Sequence, residues 1–475
     1  MPGNETDQTA VARASIHCEE NPAGILATKR ETPTDDRAAA ARSRITMIAS
    51  ENPTSVFPLA AGPGSAEAVV PFNALETTNW DLCKAFGWMF QPDSLEALRV
   101  SLQQWSHEEN VVLAPSGECA IAQILSLLPQ EEVVMPAWIC HQVKTAVKVA
   151  GKRIIFVDLG KNSINATSAE YNAAAKPGRI LLIAHLFGVP TDVEAICELA
   201  RQRDCLTIED AVPAIGGRQD GRLLGTFADF GVFSFEQSKR LPAFRGGFIV
   251  ANNGRLCDLA KLANNRLAET TRSMPYVPLA KAFLQNLFTN PWIYRQVTRR
   301  LLPLRPAIGR ILTARPRQHS SPGPIQEATG PQAAPRTPFY TKEIHPYQAQ
   351  LALRMIRRID NIGAKISELA AVYEKHFQGT RIQTFLPAHS DRSGLMRFPI
   401  AYPGRDRSEI LRRARQRGIY LKVLWSEEAD CEGLPNSLWA ARNLILLPLY
   451  TALSPSAAGR IAETLLDIER TVAAG

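Results

Sequence analysis

The chain has 475 residues, of which 45% are hydrophobic, and it carries a formal net charge of +8. This composition allows a large buried core and excludes a disordered protein. The positive charge is compatible with nucleic acid, an acidic membrane surface or an anionic substrate and cofactor, and charge alone does not choose among them.

The cysteine spacing and the N-terminal sequence indicate the cellular compartment in which the protein is expected. Eight cysteines are spread along the chain without the Cys-x-x-Cys spacing of zinc sites or a dense disulfide framework, which predicts reduced thiols and no metal site. The N-terminal segment contains acids and lacks an apolar signal core, and no run of about 20 apolar residues follows. We therefore expect a cytoplasmic protein.

Residues 1–70 mix Ala, Thr, Ser, Pro, Glu and Arg without periodicity, which predicts a disordered extension that carries no chemistry. From residue 94 onwards, helical periodicity alternates with short apolar segments. The predicted helices cover residues 94–105, 121–128, 142–149 and 193–203. The predicted strands cover residues 111–113, 132–135, 153–157, 179–184, 206–208, 230–235 and 248–250.

This alternation is typical of βαβ units, so residues 71–270 are predicted to form a large α/β domain around a mostly parallel sheet. In such sheets the chemistry lies at the strand ends and in the loops beyond them. The C-terminal residues 341–475 are predicted to form a smaller α/β domain. Its elements are a helix at 347–377, strands at 396–401, 419–423 and 444–447, and helices at 408–417 and 456–471.

Between the two domains, residues 271–340 form a basic insertion rich in Pro and Arg. Within it, residues 280–312 mix Phe, Leu, Trp and Ile with Arg, a composition found in helices that lie on membranes. The alternative is a set of helices packed on the body or on a dimer partner, with the arginines in solvent. Prolines at 291, 303 and 306 would break a single long amphipathic helix.

Two adjacent acids, Glu209 and Asp210, end the predicted strand at 206–208. Because neighbouring side chains of a strand point to opposite faces, one of the two carboxylates faces the ligand edge of the sheet. We assign Asp210 to that position. The alternative is that the pair only caps a loop.

A lysine follows the strand at 230–235, in the segment Phe-Ser-Phe-Glu-Gln-Ser-Lys that ends at Lys239. Ser234 stands between two aromatic residues, and Arg-Gly-Gly at 245–247 precedes the next strand. A lysine at a strand exit that loses water also loses charge and becomes nucleophilic. Taken alone, Lys239 beside Arg240 also fits a solvated surface charge.

The turn Ser116-Gly117-Glu118 joins a strand to an apolar helix and so offers backbone N–H groups at a helix N-terminus. Such a turn binds phosphate groups, although it also serves as an ordinary helix cap. Trp138 follows another strand end, where it either covers a flat ring or packs as a structural aromatic residue.

Together these residues supply what a pyridoxal 5'-phosphate site requires. Lys239 would bind the cofactor covalently, and Asp210 would keep the ring nitrogen protonated. The turn of Ser116, Gly117 and Glu118 would hold the phosphate, and Trp138 would cover the ring or the substrate.

With these residues assembled, the chain resembles the DegT/DnrJ/EryC1/StrS family of sugar aminotransferases over residues 75–253 and 345–470. The resemblance is carried by six segments in chain order: PSGECA at 115–120, EVVMPAW at 132–138, FVDL at 156–159, HLFGVPTDVEAI at 185–196, IEDAVPAIGG at 208–217, and GTFADFGVFSFEQSKRLPAFRGG at 225–247. It implies the pyridoxal-phosphate-dependent fold type I, similar to aspartate aminotransferase, and a homodimer. It also implies the same roles for Lys239, Asp210 and the turn at 116–118, and it implies that Ser234 holds the phosphate together with that turn.

The chain departs from the family pattern at four places. Glu118 stands where the family commonly has threonine, and Pro213 stands where glutamine or histidine usually touches the cofactor. Cys140 aligns with the usual ring-stacking aromatic residue. Residues 344–347 replace an Asn-Tyr-Arg motif that in the family reaches the phosphate from the neighbouring subunit.

The resemblance implies transfer of an amino group, with glutamate as the expected donor, to a nucleotide-linked keto-sugar. Two alternatives stay open. The first is a sugar dehydratase with the same cofactor, although such relatives usually replace the lysine with histidine. The second is an inactive fold relative that acts as a membrane-associated binding or scaffold protein. Nucleic-acid binding is not expected, because the basic residues lack a recognised binding motif.

Overall fold

The computed structural model describes residues 75–252 apart from 89, 91 and 92, five positions within 254–261, residues 276–290, residue 293, and residues 344–473 apart from 389 and 426–428. The predicted extension at 1–70 and most of the predicted insertion at 271–340, including Pro291, Pro303 and Pro306, lie outside these residues. The predictions made for them stay predictions.

Seven strands of the described chain form the central sheet, in the order β1-β9-β8-β5-β4-β2-β3. They are β1 (Val111–Ala114), β2 (Glu132–Pro136), β3 (Arg153–Val157), β4 (Ile180–Ala184), β5 (Leu206–Asp210), β8 (Phe230–Ser234) and β9 (Gly247–Ala251). The intervening β6 (Arg218–Gln219) and β7 (Arg222–Leu223) pair as a short hairpin. Residues of β4, β8 and β9 are all buried, as in sheets covered on both faces.

Strands β2, β3, β4, β5 and β8 run parallel, whereas β9 is antiparallel to both β8 and β1. The carboxyl ends of β1, β2, β4, β5 and β8 therefore meet at one edge of the sheet. The predicted mostly parallel α/β sheet is confirmed, and this edge is where the predicted site residues follow their strands.

Six helices of the described residues precede β1 or connect the strands that follow it. They are α1 (Asn79–Trp88), α2 (Ser94–Ser106), α3 (Gly117–Leu127), α4 (His141–Val149), α5 (Ser168–Ala174) and α6 (Val193–Gln202). Helix α5, which the sequence did not predict, starts at a capping box in which the Thr167 backbone N–H donates to Glu170 Oε2 over 2.8 Å.

Part of the predicted insertion is helical. Helix α7 (Tyr276–Thr289) lies beside α1, and Asn286 Nδ2 donates to the Thr77 carbonyl over 3.0 Å. Tyr276 and Val277 on α7 and Trp80 on α1 are exposed. In the portion of the chain that the structure describes, every helix is too short or too polar to cross a membrane.

The C-terminal part contains a small antiparallel sheet of β10 (Gln383–Thr384), β11 (Phe398–Ala401) and β12 (Ile445–Leu447). Its helices are α8 (Pro346–Ile356), α9 (Ile359–Phe377), α10 (Arg407–Gln416), α11 (Pro435–Asn443) and α12 (Pro455–Ala473). Tyr373 and Phe377 of α9 pack against Phe398, with ring centroids 5.1 and 6.2 Å from it. These contacts join the helices to the small sheet.

Two predicted elements of this part are wrong. The single helix predicted at 347–377 is two helices, because the chain turns at Arg357 and Arg358, where Arg358 pairs with the buried Asp81 over 2.9 Å. The strand predicted at 419–423 is reduced to isolated bridge residues at Ile419 and Lys422, the latter bridged to Leu446. In both places a contact with a residue distant in sequence decides the backbone conformation.

Candidate active site

The loops after β1 and β8 meet at the carboxyl edge of the sheet. Ser234, at the end of β8, is paired with Gly247 of β9, and Ser116 forms a bridge with Gly246. A Cβ atom on Gly117 would lie 3.0 Å from Val212 Cγ2 and 3.1 Å from Ser234 Cβ. Gly117 therefore allows the turn after β1 to lie directly against Ser234 and the loop after β5.

Ser116 caps helix α3, since its Oγ accepts a hydrogen bond of 3.0 Å from the Cys119 backbone N–H. The first turn of a helix presents N–H groups without intrahelical partners, a common binding site for phosphate groups. Burial raises the pKa of the Cys119 thiol to about 11, and the nearby charge of Glu118 raises it further while that of Arg245 lowers it. Arg245 thus adds positive charge near this turn.

The two adjacent acids of β5 have different partners. The Glu209 carboxylate is fully buried and accepts hydrogen bonds from the backbone N–H groups of Gly225, Phe227 and Ala228. Asp210 Oδ1 accepts one hydrogen bond, of 3.1 Å, from the Val212 N–H. Glu209 therefore organises the loop that precedes β8, whereas Asp210 faces the loop that follows β5.

His185 is a buried residue that the sequence interpretation missed. Its Nε2 lies 2.9 Å from Glu209 Oε1, and its Nδ1 accepts a hydrogen bond of 3.2 Å from the Thr191 N–H. Because Nδ1 is an acceptor, these contacts assign the hydrogen to Nε2. His185 lies in the segment HLFGVPTDVEAI, so the motif was visible while the pairing with Glu209 was not.

Lys239 and Asp210 lie close enough for their charges to interact. Burial raises the pKa of the Asp210 carboxyl above its ordinary value, and the Lys239 ammonium acts in the opposite direction. Burial likewise raises the pKa of the Cys140 thiol, again opposed by Lys239. The lysine, the carboxyl group and the thiol therefore lie near one another, although they come from three separate segments of the chain.

The turn between β8 and Lys239 is fixed by short-range contacts. Ser234 Oγ accepts a hydrogen bond of 3.2 Å from the Glu236 N–H, and the Lys239 N–H donates to the Glu236 carbonyl over 2.9 Å. Lys239 itself is half-buried. A lysine in this position is withdrawn from bulk water but still lines a cavity.

Trp138 is almost completely buried in an aromatic cluster. Its ring centroid lies 5.5 Å from that of Phe187 and 5.3 Å from that of Trp425, and its Nε1 donates to the Trp425 carbonyl over 2.8 Å. Phe187 and Trp425 are themselves stacked, 4.8 Å apart. These contacts favour the structural interpretation of Trp138 over the one in which it covers a cofactor ring.

Comparison with known proteins identifies the family. The model of the DegT/DnrJ/EryC1/StrS aminotransferase family matches residues 77–277 and 332–466. The chain belongs to this family. The predicted recognition is therefore confirmed.

Two curated relatives illustrate the likeness. The GDP-perosamine synthase of Escherichia coli O157:H7 is 33% identical over 136 residues, which are 28% of this chain and 37% of that protein. The dTDP-4-dehydro-2,3,6-trideoxy-D-glucose 4-aminotransferase of Saccharopolyspora spinosa is 31% identical over 157 residues, or 32% of this chain and 41% of that protein. In each case the match spans less than half of the relative's length.

Solved structures support the fold. The aminotransferase TlmJ from Streptoalloteichus hindustanus aligns with a TM-score of 0.63 at 19% identity, covering 86% of this chain and 99% of that one. The pyridoxal-phosphate form of the putative sugar aminotransferase Spr1654 from Streptococcus pneumoniae aligns with a TM-score of 0.63 at 17% identity, covering 85% and 99%. The predicted fold type I architecture is thereby confirmed.

In this DegT/DnrJ/EryC1/StrS chain, the segment at 344–347 contacts helix α1 and the turn at Gly246. Tyr347 donates its hydroxyl hydrogen to the Leu82 carbonyl over 3.1 Å, and its backbone N–H donates to His345 Nδ1 over 3.1 Å. A Cβ atom on Gly246 would lie 3.0 Å from Ile344 Cγ1. The segment therefore supports the Arg-Gly-Gly turn that precedes β9.

Proposed function

We propose that this chain is a pyridoxal-phosphate-dependent aminotransferase that moves an amino group from an amino-acid donor, expected to be glutamate, to a nucleotide-linked keto-sugar. The observation that carries the proposal is the convergence of Lys239 and the buried Asp210 at the edge where the turn at Ser116 and Gly117 closes on Ser234. Family membership supports the reaction, and the names of relatives support the substrate class.

The residues present fit the cofactor. A flat, phosphorylated pyridine needs a lysine, a carboxylate for its ring nitrogen and donors for its phosphate. Gly117 provides a cradle that a larger residue would fill, and Ser116 opens the helix whose first N–H groups would meet the phosphate. Ser234 and Arg245 lie beside this turn, so a hydroxyl group and a positive charge are also near the proposed phosphate position.

When bound, the cofactor supplies an electron sink for the carbon that carries the amino group. Asp210 would hold a proton on the ring nitrogen, and its burial keeps that carboxylate from being satisfied by water. The Nζ atom of Lys239 would take a proton from the amino-bearing carbon of the donor, acting as general base, and then deliver it to the cofactor, acting as general acid. Glu209 and His185 would hold the strand end that carries Asp210.

The substrate proposal rests on two supports. Curated relatives include enzymes named for GDP-, dTDP- and UDP-linked sugars. The net charge of +8 favours a diphosphate-bearing substrate. Lys239 and the buried Asp210 favour an active aminotransferase over the two alternatives, a dehydratase that has lost the lysine and an inactive scaffold.

We also propose a homodimer, as in the family pattern, with the active sites near the subunit boundary. A solution mass of two chains would support this assembly. The function itself is tested by incubating the pyridoxal-phosphate-loaded protein with L-glutamate and following 2-oxoglutarate release. A second incubation with a nucleotide-linked 4-keto-sugar should yield the amino sugar, and wild type that releases no 2-oxoglutarate contradicts glutamate as donor.

A further inference from the structure

The guanidinium group of Arg240 is buried beside Lys239 without hydrogen bonds. Arg240 is 3% exposed, and its Nε, Nη1 and Nη2 atoms have no hydrogen-bond partner within the described structure. Burial lowers its pKa to about 10. Buried polar groups in folded proteins are almost always hydrogen-bonded, and exceptions often mark functional sites.

Glu76 is the nearest acid, but it does not satisfy Arg240. Its Oε1 lies 3.7 Å from Arg240 Nη1, which is beyond hydrogen-bond distance. Both of its oxygens are used by Thr451, whose N–H donates to Oε1 over 3.3 Å and whose Oγ1 donates to Oε2 over 2.6 Å. Glu76 therefore contributes charge to Arg240 without completing its hydrogen bonds.

A second buried arginine stands close by. Arg397 is 7% exposed, and its Nη1 donates to the Met396 carbonyl over 2.6 Å. Burial lowers the pKa of Arg397 to about 10, and its charge in turn lowers the pKa of Arg240. Two guanidinium groups thus lie near one carboxylate, that of Glu76. The three side chains together therefore carry an excess of positive charge.

These charges surround a single cavity that includes the reactive lysine. It is lined by Lys239, Arg240, Glu76, Arg397, Met396 and Leu449, among others. The cavity therefore combines the amine of Lys239 with an excess of positive charge. A carboxylate group matches that charge.

We propose that Arg240, assisted by Arg397, binds the carboxylate of the amino-acid donor. This inference rests on the proposed aminotransferase function. Every α-amino acid carries a carboxylate on the same carbon as its amino group, so a donor that reacts at Lys239 brings a carboxylate close to it. A guanidinium group matches a carboxylate with two parallel hydrogen bonds.

A purely structural role for Arg240 makes a different prediction for stability. If the pairing with Glu76 held the fold, Arg240→Met would destabilise the unliganded protein. If Arg240 serves to bind a ligand, Arg240→Met removes a buried charge that makes no hydrogen bonds. The midpoint of thermal unfolding of the unliganded protein should then stay the same or rise. Arg179→Met is the matched control, since Arg179 is also mostly buried but pairs with Glu132 over 2.7 Å at the opposite edge of the sheet.

Binding is measured on the pyridoxal-phosphate-loaded proteins by calorimetry with glutarate, an unreactive dicarboxylate. We expect Arg240→Met to weaken glutarate binding about ten- to a hundredfold, the range for a lost charged hydrogen bond. The affinity of Arg240→Lys for glutarate should lie between those of wild type and Arg240→Met. Lysine keeps the positive charge but lacks the planar guanidinium group that makes two parallel hydrogen bonds. Arg179→Met should bind glutarate like wild type even where its thermal midpoint falls.

Single-turnover kinetics with L-glutamate add a second readout. In Arg240→Met the concentration for half-maximal rate should rise by a similar factor, while the limiting rate changes little. Calorimetry with D-glucuronate distinguishes the other source of a carboxylate, an acidic sugar acceptor. Weakened glucuronate binding with unchanged glutarate binding would overturn the donor assignment.

Equal glutarate binding by wild type and Arg240→Met, or a lowered thermal midpoint of Arg240→Met without loss of binding, would also overturn the inference. Failure of the proposed function gives a different result. In that case glutarate binding would still depend on Arg240, but L-glutamate would release no 2-oxoglutarate.

Discussion

Glu209 and Asp210 are consecutive carboxylates at the end of β5 with opposite environments. Glu209 Oε1 lies 2.9 Å from His185 Nε2, and Oε2 accepts from the backbone N–H of Phe227 over 3.0 Å. Asp210 accepts from the Val212 N–H and lies within the electrostatic reach of Lys239. One acid therefore serves the fold and its neighbour serves the proposed chemistry, which amide substitutions at the two positions can separate.

Asp210→Asn should leave the fold intact and slow the half-reaction with L-glutamate. The amide cannot provide the negative charge for the ring nitrogen, and a lost charged hydrogen bond of about 1.5–3 kcal/mol corresponds to a rate lower by about ten- to a hundredfold. Single-turnover absorbance measures the rate. An unchanged rate would mean that another carboxylate faces the ring.

Glu209→Gln should destabilise the fold without slowing the half-reaction with L-glutamate. The amide keeps only one oxygen, so buried N–H groups among those of Gly225, Phe227 and Ala228 lose their acceptor, at about 1–3 kcal/mol for each unsatisfied group. Urea unfolding of the unliganded protein measures the loss of stability. Asp210→Asn is the control, and equal stability of the two variants would contradict the assignment of roles.

The stability of the unliganded protein should depend on pH through Asp210. Burial raises the pKa of this carboxyl above its unfolded value, so the folded state holds the proton to higher pH. The stabilisation is complete below the unfolded pKa of about 3.9 and is lost as pH rises through the folded pKa. Wild type should therefore lose stability relative to Asp210→Asn as pH increases, and a constant difference in unfolding free energy would contradict this.

Gly117→Ala should weaken cofactor binding. The added methyl group would lie 3.0 Å from Val212 Cγ2 and 3.1 Å from Ser234 Cβ, which forces the turn away from the β8 loop. Overpacking of this kind costs about 1–3 kcal/mol. The control is Gly87→Ala in α1, where nothing lies within 4 Å of the new atom. Equal dissociation constants for pyridoxal phosphate in the two variants would show that the turn does not hold the phosphate.

The sequence predicted the central sheet well because its strands are short apolar runs separated by helices of regular periodicity. Predicted strand 153–157 matches β3, and predicted helix 193–203 differs from α6 by one residue. The errors lie where distant contacts decide the backbone. Neither the turn at Arg357 and Arg358 nor its ion pair with Asp81, 277 residues away, is visible in local periodicity.

Some residues of the candidate site could be predicted from the sequence and others could not, because the burial of the latter depends on contacts with residues distant in sequence. Asp210 and Lys239 follow apolar strands directly, so their placement at the sheet edge could be inferred. Arg240 beside Lys239 has the local pattern of a surface charge, and its burial depends on Glu76 and Arg397, which are distant in sequence. Trp138 satisfied the pattern of a ring-covering aromatic residue, but its neighbours Phe187 and Trp425 come from other parts of the chain.

Peptide mapping after borohydride reduction tests most directly whether Lys239 binds pyridoxal phosphate covalently. The loaded protein is reduced, digested and analysed by mass spectrometry, with Lys239→Ala as the variant and Lys144→Ala, at another buried lysine, as the control. We expect the phosphopyridoxyl label on Lys239 in wild type and in Lys144→Ala, and no specific label in Lys239→Ala. A label on another lysine, or none after full reconstitution of wild type, would contradict the account.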